Sequence, residues 1–219
     1  FLCIVLYYFL RNHTLLQTQH PVLIDIEGRT GAGKSTFARE LQSKLIEDGI
    51  NCVIINKDTY LLHSSIPQTN SHDVASMELA IDKAESAASV IIVEGLVPAG
   101  SAKHTRKIDY KVFVESAPEE RIGRRILRNL HKKTIAESLQ LIIKFATSHR
   151  EHLEKYEGRK PDGDTDLIVR NNFLQSGSPR VVVLNNELVF MVNGEIKEKI
   201  KLDDDGTIAK ALKDSALVD

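Results

Sequence analysis

Nine consecutive residues combine three glycines, one lysine and three hydroxyl side chains: Gly28-Arg29-Thr30-Gly31-Ala32-Gly33-Lys34-Ser35-Thr36. Gly28, Gly33, Lys34 and Ser35 fit the pattern G-x-x-x-x-G-K-[ST]. The chemistry this spacing permits is polyphosphate binding. Glycines let the backbone curl so that successive N–H groups face phosphate oxygens, and a helix starting at the lysine adds its unpaired N–H groups and the positive end of its dipole. Lys34 then reaches the β- and γ-phosphates, the Ser35 hydroxyl offers a ligand for Mg²⁺, and Thr36 adds a hydroxyl near the α-phosphate.

Two acids and a run of arginines could act on what such a loop holds. Asp58 follows the apolar stretch "CVIIN", and Glu94 ends "VIIVEG". In open α/β sheets, ligands sit beyond the carboxyl ends of the strands, where both acids would lie. With Ser35 they could surround Mg²⁺ and the transferring phosphate. The plainer alternatives are a turn cap for Asp58 and a solvated strand end for Glu94. Arg121, Arg124, Arg125 and Arg128 recur at i, i+3, i+4 and i+7 in "PEERIGRRILRNLHKK" and share a helical stripe. Arg124, Arg125 or Arg128 could neutralise charge growing on a phosphoryl group. A solvated basic face pairing with Glu119 and Glu120 is the alternative. A nucleic-acid patch would call for interleaved aromatic residues, which are missing. His149 and His152 read as a surface pair, because no carboxylate or cysteine spacing completes a zinc site.

The elements that must position these groups follow from the pattern of apolar residues. "VLIDIE" (22–27), "CVIIN" (52–56), "VIIVEG" (90–95), "YKVFVE" (110–115) and "DLIV" (166–169) read as buried strands. Phe37, Ala38, Leu41 and Leu45 recur at helical spacing with Gly49 placed to end that helix. Residues 74–87 carry Met77, Ile81 and Ala84 on one helical face, and a further helix is expected over 135–156. In 118–133, Pro118 and two acids open a helix whose Ile122, Ile126 and Leu130 form an apolar stripe. Continuously apolar strands separated by helices predict a parallel sheet covered on both faces.

The tail differs. "RVVVL-NN-ELVFMV-NG-EIKEKIKL" reads as three strands joined by two-residue links that tolerate positive φ. The fold class is therefore α/β: a P-loop NTPase-type parallel five-stranded sheet flanked by helices, with a small C-terminal antiparallel β-meander plus helix. The expected divisions are an apolar N-terminal tail (1–20), a core (21–172) and an appendage (180–219), with "LQSGSPR" (174–180) at the boundary.

Bulk composition narrows the function classes. Of 219 residues, 42% are apolar and 27% charged, and 29 Lys and Arg nearly balance 30 Asp and Glu. A net charge of −1 argues against a dedicated nucleic-acid binder. Two cysteines, Cys3 and Cys52, make no disulfide framework and suit a reducing, cytoplasmic setting. "FLCIVLYYFL" at the start spans about half a bilayer as a helix, so membrane contact is expected only if it is a truncated anchor. Exposed hairpin edges in the tail offer a route to homo-oligomers. Guanine-specific switches carry N-K-x-D; in "NKDT" Thr59 stands where the acid belongs.

Taken together, these motifs resemble the uridine kinase and phosphoribulokinase group of P-loop kinases. "GRTGAGKST" matches that group's phosphate loop, "KDTY" resembles its D-x-F-Y stretch and "IIVEG" its strand-ending F-E-G. "DYKVFVESAPEERIGRRILRN" is similar to its D-x-K-I-F-V-D…R-R-I-x-R-D run, and "YEGRKPDGDTDLIV" to its closing segment. The resemblance implies ATP and Mg²⁺ as cofactors, Asp58 as base toward an acceptor hydroxyl, Glu94 near Mg²⁺ and lid arginines over the phosphates. It implies a small hydroxylated acceptor such as a nucleoside, met by Asp58 and Tyr60, with Asp73 of "NSHDVASMEL" near a sugar. Only about 35 residues separate Asp58 from Glu94, where uridine kinases hold a long base-binding insertion. A regulatory nucleotide binder and an NTPase without an acceptor are the rival readings.

Overall fold

A computed structural model describes residues 7, 20–62, 71–95, 108–148, 161, 163–171, 178–202 and 206–214. The His149–His152 pair, residues 149–156 of the expected helix, residues 174–177 of the boundary loop and the N-terminal stretch apart from Tyr7 lie outside them. The chain divides into two compact units. One takes in residues up to 28, 33–114 and 160–169; the other takes in 29–32, 115–159 and 170–219.

The first unit is built on a parallel five-stranded sheet. Its strands are β1 (Val22–Gly28), β2 (Cys52–Asn56), β5 (Val90–Glu94), β6 (Tyr110–Glu115) and β7 (Leu167–Arg170), in the order β2-β5-β1-β6-β7. All seven residues of β1 and all five of β5 are buried, as expected for strands covered on both faces. Helix α1 (Lys34–Glu47) packs on β1, β2 and β5 and buries Phe37, Ala38, Leu41 and Leu45. Helix α2 (Val74–Glu85) sets Met77, Ile81 and Ala84 against Leu23, Ile55, Ile91 and Val93. Ile24, Ile26 and Ile92, of the other parity in their strands, are also fully buried, so neither face is left open.

Between β2 and α2 the chain makes a 3₁₀ turn (Lys57–Tyr60) and a short antiparallel hairpin. Its strands are β3 (Leu61–Leu62) and β4 (Ser71–His72). Strands of two residues carry no readable periodicity, and the spacing of apolar residues does not announce them.

The second unit holds helix α3 (Pro118–Asn129), helix α4 (Ile135–Ser148) and an antiparallel meander. The meander strands are β8 (Arg180–Leu184), β9 (Glu187–Val192) and β10 (Glu195–Lys201), followed by helix α5 (Thr207–Asp214). Asn185, Asn186 and Asn193 take φ of 48°, 61° and 56°, the left-handed conformations that two-residue hairpins demand. Ile122, Ile126 and Leu139 form one apolar core with Val181, Leu188, Phe190, Leu202 and Leu212, so the meander is built into the same core as α3 and α4. Leu130 leaves the expected stripe: it caps the end of α3 and is 43% exposed.

Candidate functional site

In the first unit, α1 begins at Lys34, directly after Gly33, which takes φ 102°. The Ser35 Oγ donates to both carboxylate oxygens of Glu94, at 3.0 and 3.2 Å. Register explains the meeting. β5 lies between β1 and β2, and Glu94 pairs with Ile26 on one side and Asn56 on the other, so its side chain leaves the sheet where the loop starts. Glu94 is 3% exposed. Burial pushes its carboxyl above the ordinary value of 4.5, opposed by the Ser35 hydrogen bond and the Lys34 charge, while neighbouring Asp58 adds to the rise and Lys57 opposes it.

Asp58 is exposed at the end of β2, one residue into the 3₁₀ turn. The Asn56 side chain accepts from its backbone N–H at 2.8 Å and closes that turn. A Cβ on Gly95 would lie 3.3 Å from Asp58 Oδ1 and 2.8 Å from Lys57 Cβ, so only glycine lets the Glu94–Gly95 corner come so close to the acid. The structure thus brings Ser35, Glu94 and Asp58 to one end of the sheet. Oxygen donors of this kind suit Mg²⁺, which takes one or two protein ligands and completes its shell with phosphate oxygens and water.

Beside Asp58 lies a charge cluster that the motifs do not reveal. Lys57 Nζ lies 2.5 Å from Asp25 Oδ1 and 3.6 Å from Glu27 Oε1, and the three residues are 1%, 3% and 5% exposed. Asp25 and Glu27 are two apart on β1 and share a face. Two acids on one face of an otherwise apolar strand are the sequence signal for a buried cation, but nothing in the spacing says that it comes from residue 57. Asp73 caps α2, accepting from the Ser76 hydroxyl and N–H at 2.6 and 3.0 Å, and those bonds hold its carboxyl below the ordinary range. Tyr60 packs against the α2 core cluster.

In the second unit, the loop residues Arg29–Ala32 make a tight turn in which the Ala32 N–H donates to Arg29 O at 3.2 Å. The arginine stripe of α3 divides in its environment. Arg121 is 2% exposed, and its Nη1 lies 3.5 Å from Thr30 O. Arg124 donates to Glu120 at 2.6 Å, Ser116 Oγ at 3.0 Å, Asn171 O at 3.3 Å and Gly31 O at 3.4 Å. Arg125 and Arg128 are exposed. Asn171, which no motif singles out, donates from Nδ2 to Ala32 O at 2.8 Å.

A profile of the AAA domain family matches residues 24–144, more than half of the chain. The chain belongs to the AAA domain family. It also resembles the uridine kinase group, as its motifs imply. A uridine kinase of Clostridium botulinum (strain Langeland) is 29% identical over 150 residues, covering 52% of this chain and 72% of the relative. A uridine kinase of Leuconostoc citreum is 24% identical over 149 residues, covering 52% and 70%. In the first match, 52% of a 219-residue chain is fewer residues than the match is long. The relative therefore holds residues there without a counterpart here. A solved structure described as a candidate fructose transport system kinase from Silicibacter sp. TM1040 superposes with a TM-score of 0.56 at 15% identity, covering 76% of this chain and 98% of that one, and shows the shared fold. Among the described residues, no helix is long and apolar enough to cross a membrane.

Proposed function

We propose that the chain is an ATP- and Mg²⁺-dependent phosphotransferase acting on a hydroxyl of a small metabolite, with a nucleoside the first choice of acceptor. The observation that carries this is the meeting of Ser35, Glu94 and Asp58 at the carboxyl end of the sheet, directly after the loop that ends in Lys34. The acceptor oxygen attacks the γ-phosphorus in line and gives its proton to the Asp58 carboxylate. The bond between the γ-phosphorus and the bridging oxygen breaks, and the diphosphate leaves. Lys34 would pair with the β- and γ-oxygens. Ser35 and Glu94 would hold Mg²⁺, which would supply positive charge to offset that of the phosphate oxygens. The protein's own work is positioning and electrostatics rather than covalent chemistry.

The uridine kinase relatives support a nucleoside acceptor. The short stretch between Asp58 and Glu94 favours a smaller acceptor pocket than theirs, and it is also what a regulatory nucleotide binder would show. The free, buried Cys52 suits a reducing compartment such as the cytoplasm. Incubation with Mg-ATP and a pooled metabolite extract separates the readings. New phosphorylated species are expected; free phosphate alone would make the chain an NTPase, and no turnover would leave a binder.

A further inference from the structure

Three consecutive carbonyls of the loop are held by side chains: Thr30 O by Arg121, Gly31 O by Arg124 and Ala32 O by Asn171. In a trans peptide, the carbonyl of one residue and the N–H of the next point in opposite directions. No cis bond interrupts the described residues. Anchoring the Thr30 and Ala32 carbonyls therefore turns the Gly31 and Gly33 amides away from their anchors. The Ala32 amide is spent within the Arg29–Ala32 turn. The loop also lies hard against α3: a Cβ on Gly31, at φ 79°, would stand 2.5 Å from Arg121 O.

We propose that Arg121, Arg124 and Asn171 are positioning residues that orient the loop's amides toward a polyphosphate before it arrives. The inference rests on the phosphotransferase reading and divides the arginine stripe: Arg121 and Arg124 hold the loop's carbonyls, while Arg125 and Arg128 are exposed. Arg124 suits the task because its fork is itself fixed. Glu120, 2% exposed, takes Nη2, while Ser116 takes Nη1 alongside Gly31 O. Asn171 is fixed in turn, its N–H donating to Glu115 O at 2.7 Å and its carbonyl accepting from Arg124. A loop organised in advance loses less freedom on binding, so its anchors raise affinity for the phosphates without touching them.

The test is calorimetry with inorganic tripolyphosphate, a probe that has no base or sugar, on the whole chain and on Asn171→Ala, Arg124→Gln and Arg124→Lys. Losing one charged or well-formed anchor should weaken binding roughly tenfold. Arg124→Lys should recover part of that loss, since one ammonium can reach one of the carbonyls. In Asn171→Ala the KM for ATP should rise alongside, with kcat at saturating ATP and the KM for the acceptor nearly unchanged. Asn171→Ala breaks no ion pair and should melt close to the parent, so it stays informative if Arg124→Gln folds poorly. Parent-like tripolyphosphate affinity in Asn171→Ala would overturn the inference and leave the phosphotransferase reading standing. No tripolyphosphate uptake by the parent would remove both.

Discussion

The carboxyl end of the parallel sheet and the antiparallel meander carry similar numbers of charged side chains in opposite settings. At the sheet end, Asp25, Glu27, Lys57 and Glu94 are all at least nine-tenths buried. On the meander, Lys197 pairs with Glu195 at 2.5 Å and Lys199 with Glu187 at 3.1 Å, with both lysines exposed. Burying charge is costly, and a chain tolerates it where geometry or chemistry requires it. The contrast supports placing the proposed site at the sheet end without reference to any motif.

The largest test of that contrast is removal of the loop cation. Lys34→Ala should abolish nearly all turnover, measured as phosphorylated acceptor formed, and leave the fold intact by circular dichroism. Next comes the buried pair. Lys57→Met leaves Asp25 and Glu27 facing each other without their cation and should cost about 3–5 kcal/mol in urea unfolding. Lys199→Met on the meander should cost about 0.5 kcal/mol or less, because an exposed pair contributes little. Similar costs for the two would erase the distinction between the regions.

Glu94→Gln sharpens the comparison through its opposite effects on stability and activity. The folded carboxyl titrates above 4.5, so the native state binds more protons than the unfolded one, and stability falls as pH rises from about 4.5 through the raised value. Glutamine removes that slope and should raise the melting temperature at neutral pH while abolishing Mg²⁺-dependent turnover. The smallest effect concerns Cys52. Burial pushes its thiol up to about 12, so alkylating reagents at pH 7.5 should leave it unmodified until the chain is unfolded.

Much of this molecule is legible in its sequence, for reasons that differ by region. Buried parallel strands are unbroken apolar runs, and β2 and β6 fall where those runs predict. Asn185-Asn186 and Asn193-Gly194 mark the hairpins because few other residues accept those dihedrals. The phosphate loop is local, so its motif contains its geometry. The remainder depends on contacts between distant residues. Lys57 and Asp25 stand 32 residues apart, and no local pattern pairs them. The arginine stripe shows which side chains share a helix face, but not that Arg124 meets Gly31, 93 residues earlier in the chain. The spacing of Asp73 likewise does not distinguish a sugar ligand from the cap of α2 that it forms.

The most direct measurement compares Asp58→Asn with the parent in two assays on the same preparation: turnover with Mg-ATP and acceptor, and tripolyphosphate affinity by calorimetry. If Asp58 takes the acceptor proton, turnover falls by roughly 10²–10⁴ and affinity is unchanged. Turnover equal to the parent's, with the fold intact, would contradict the assignment of Asp58 as the base.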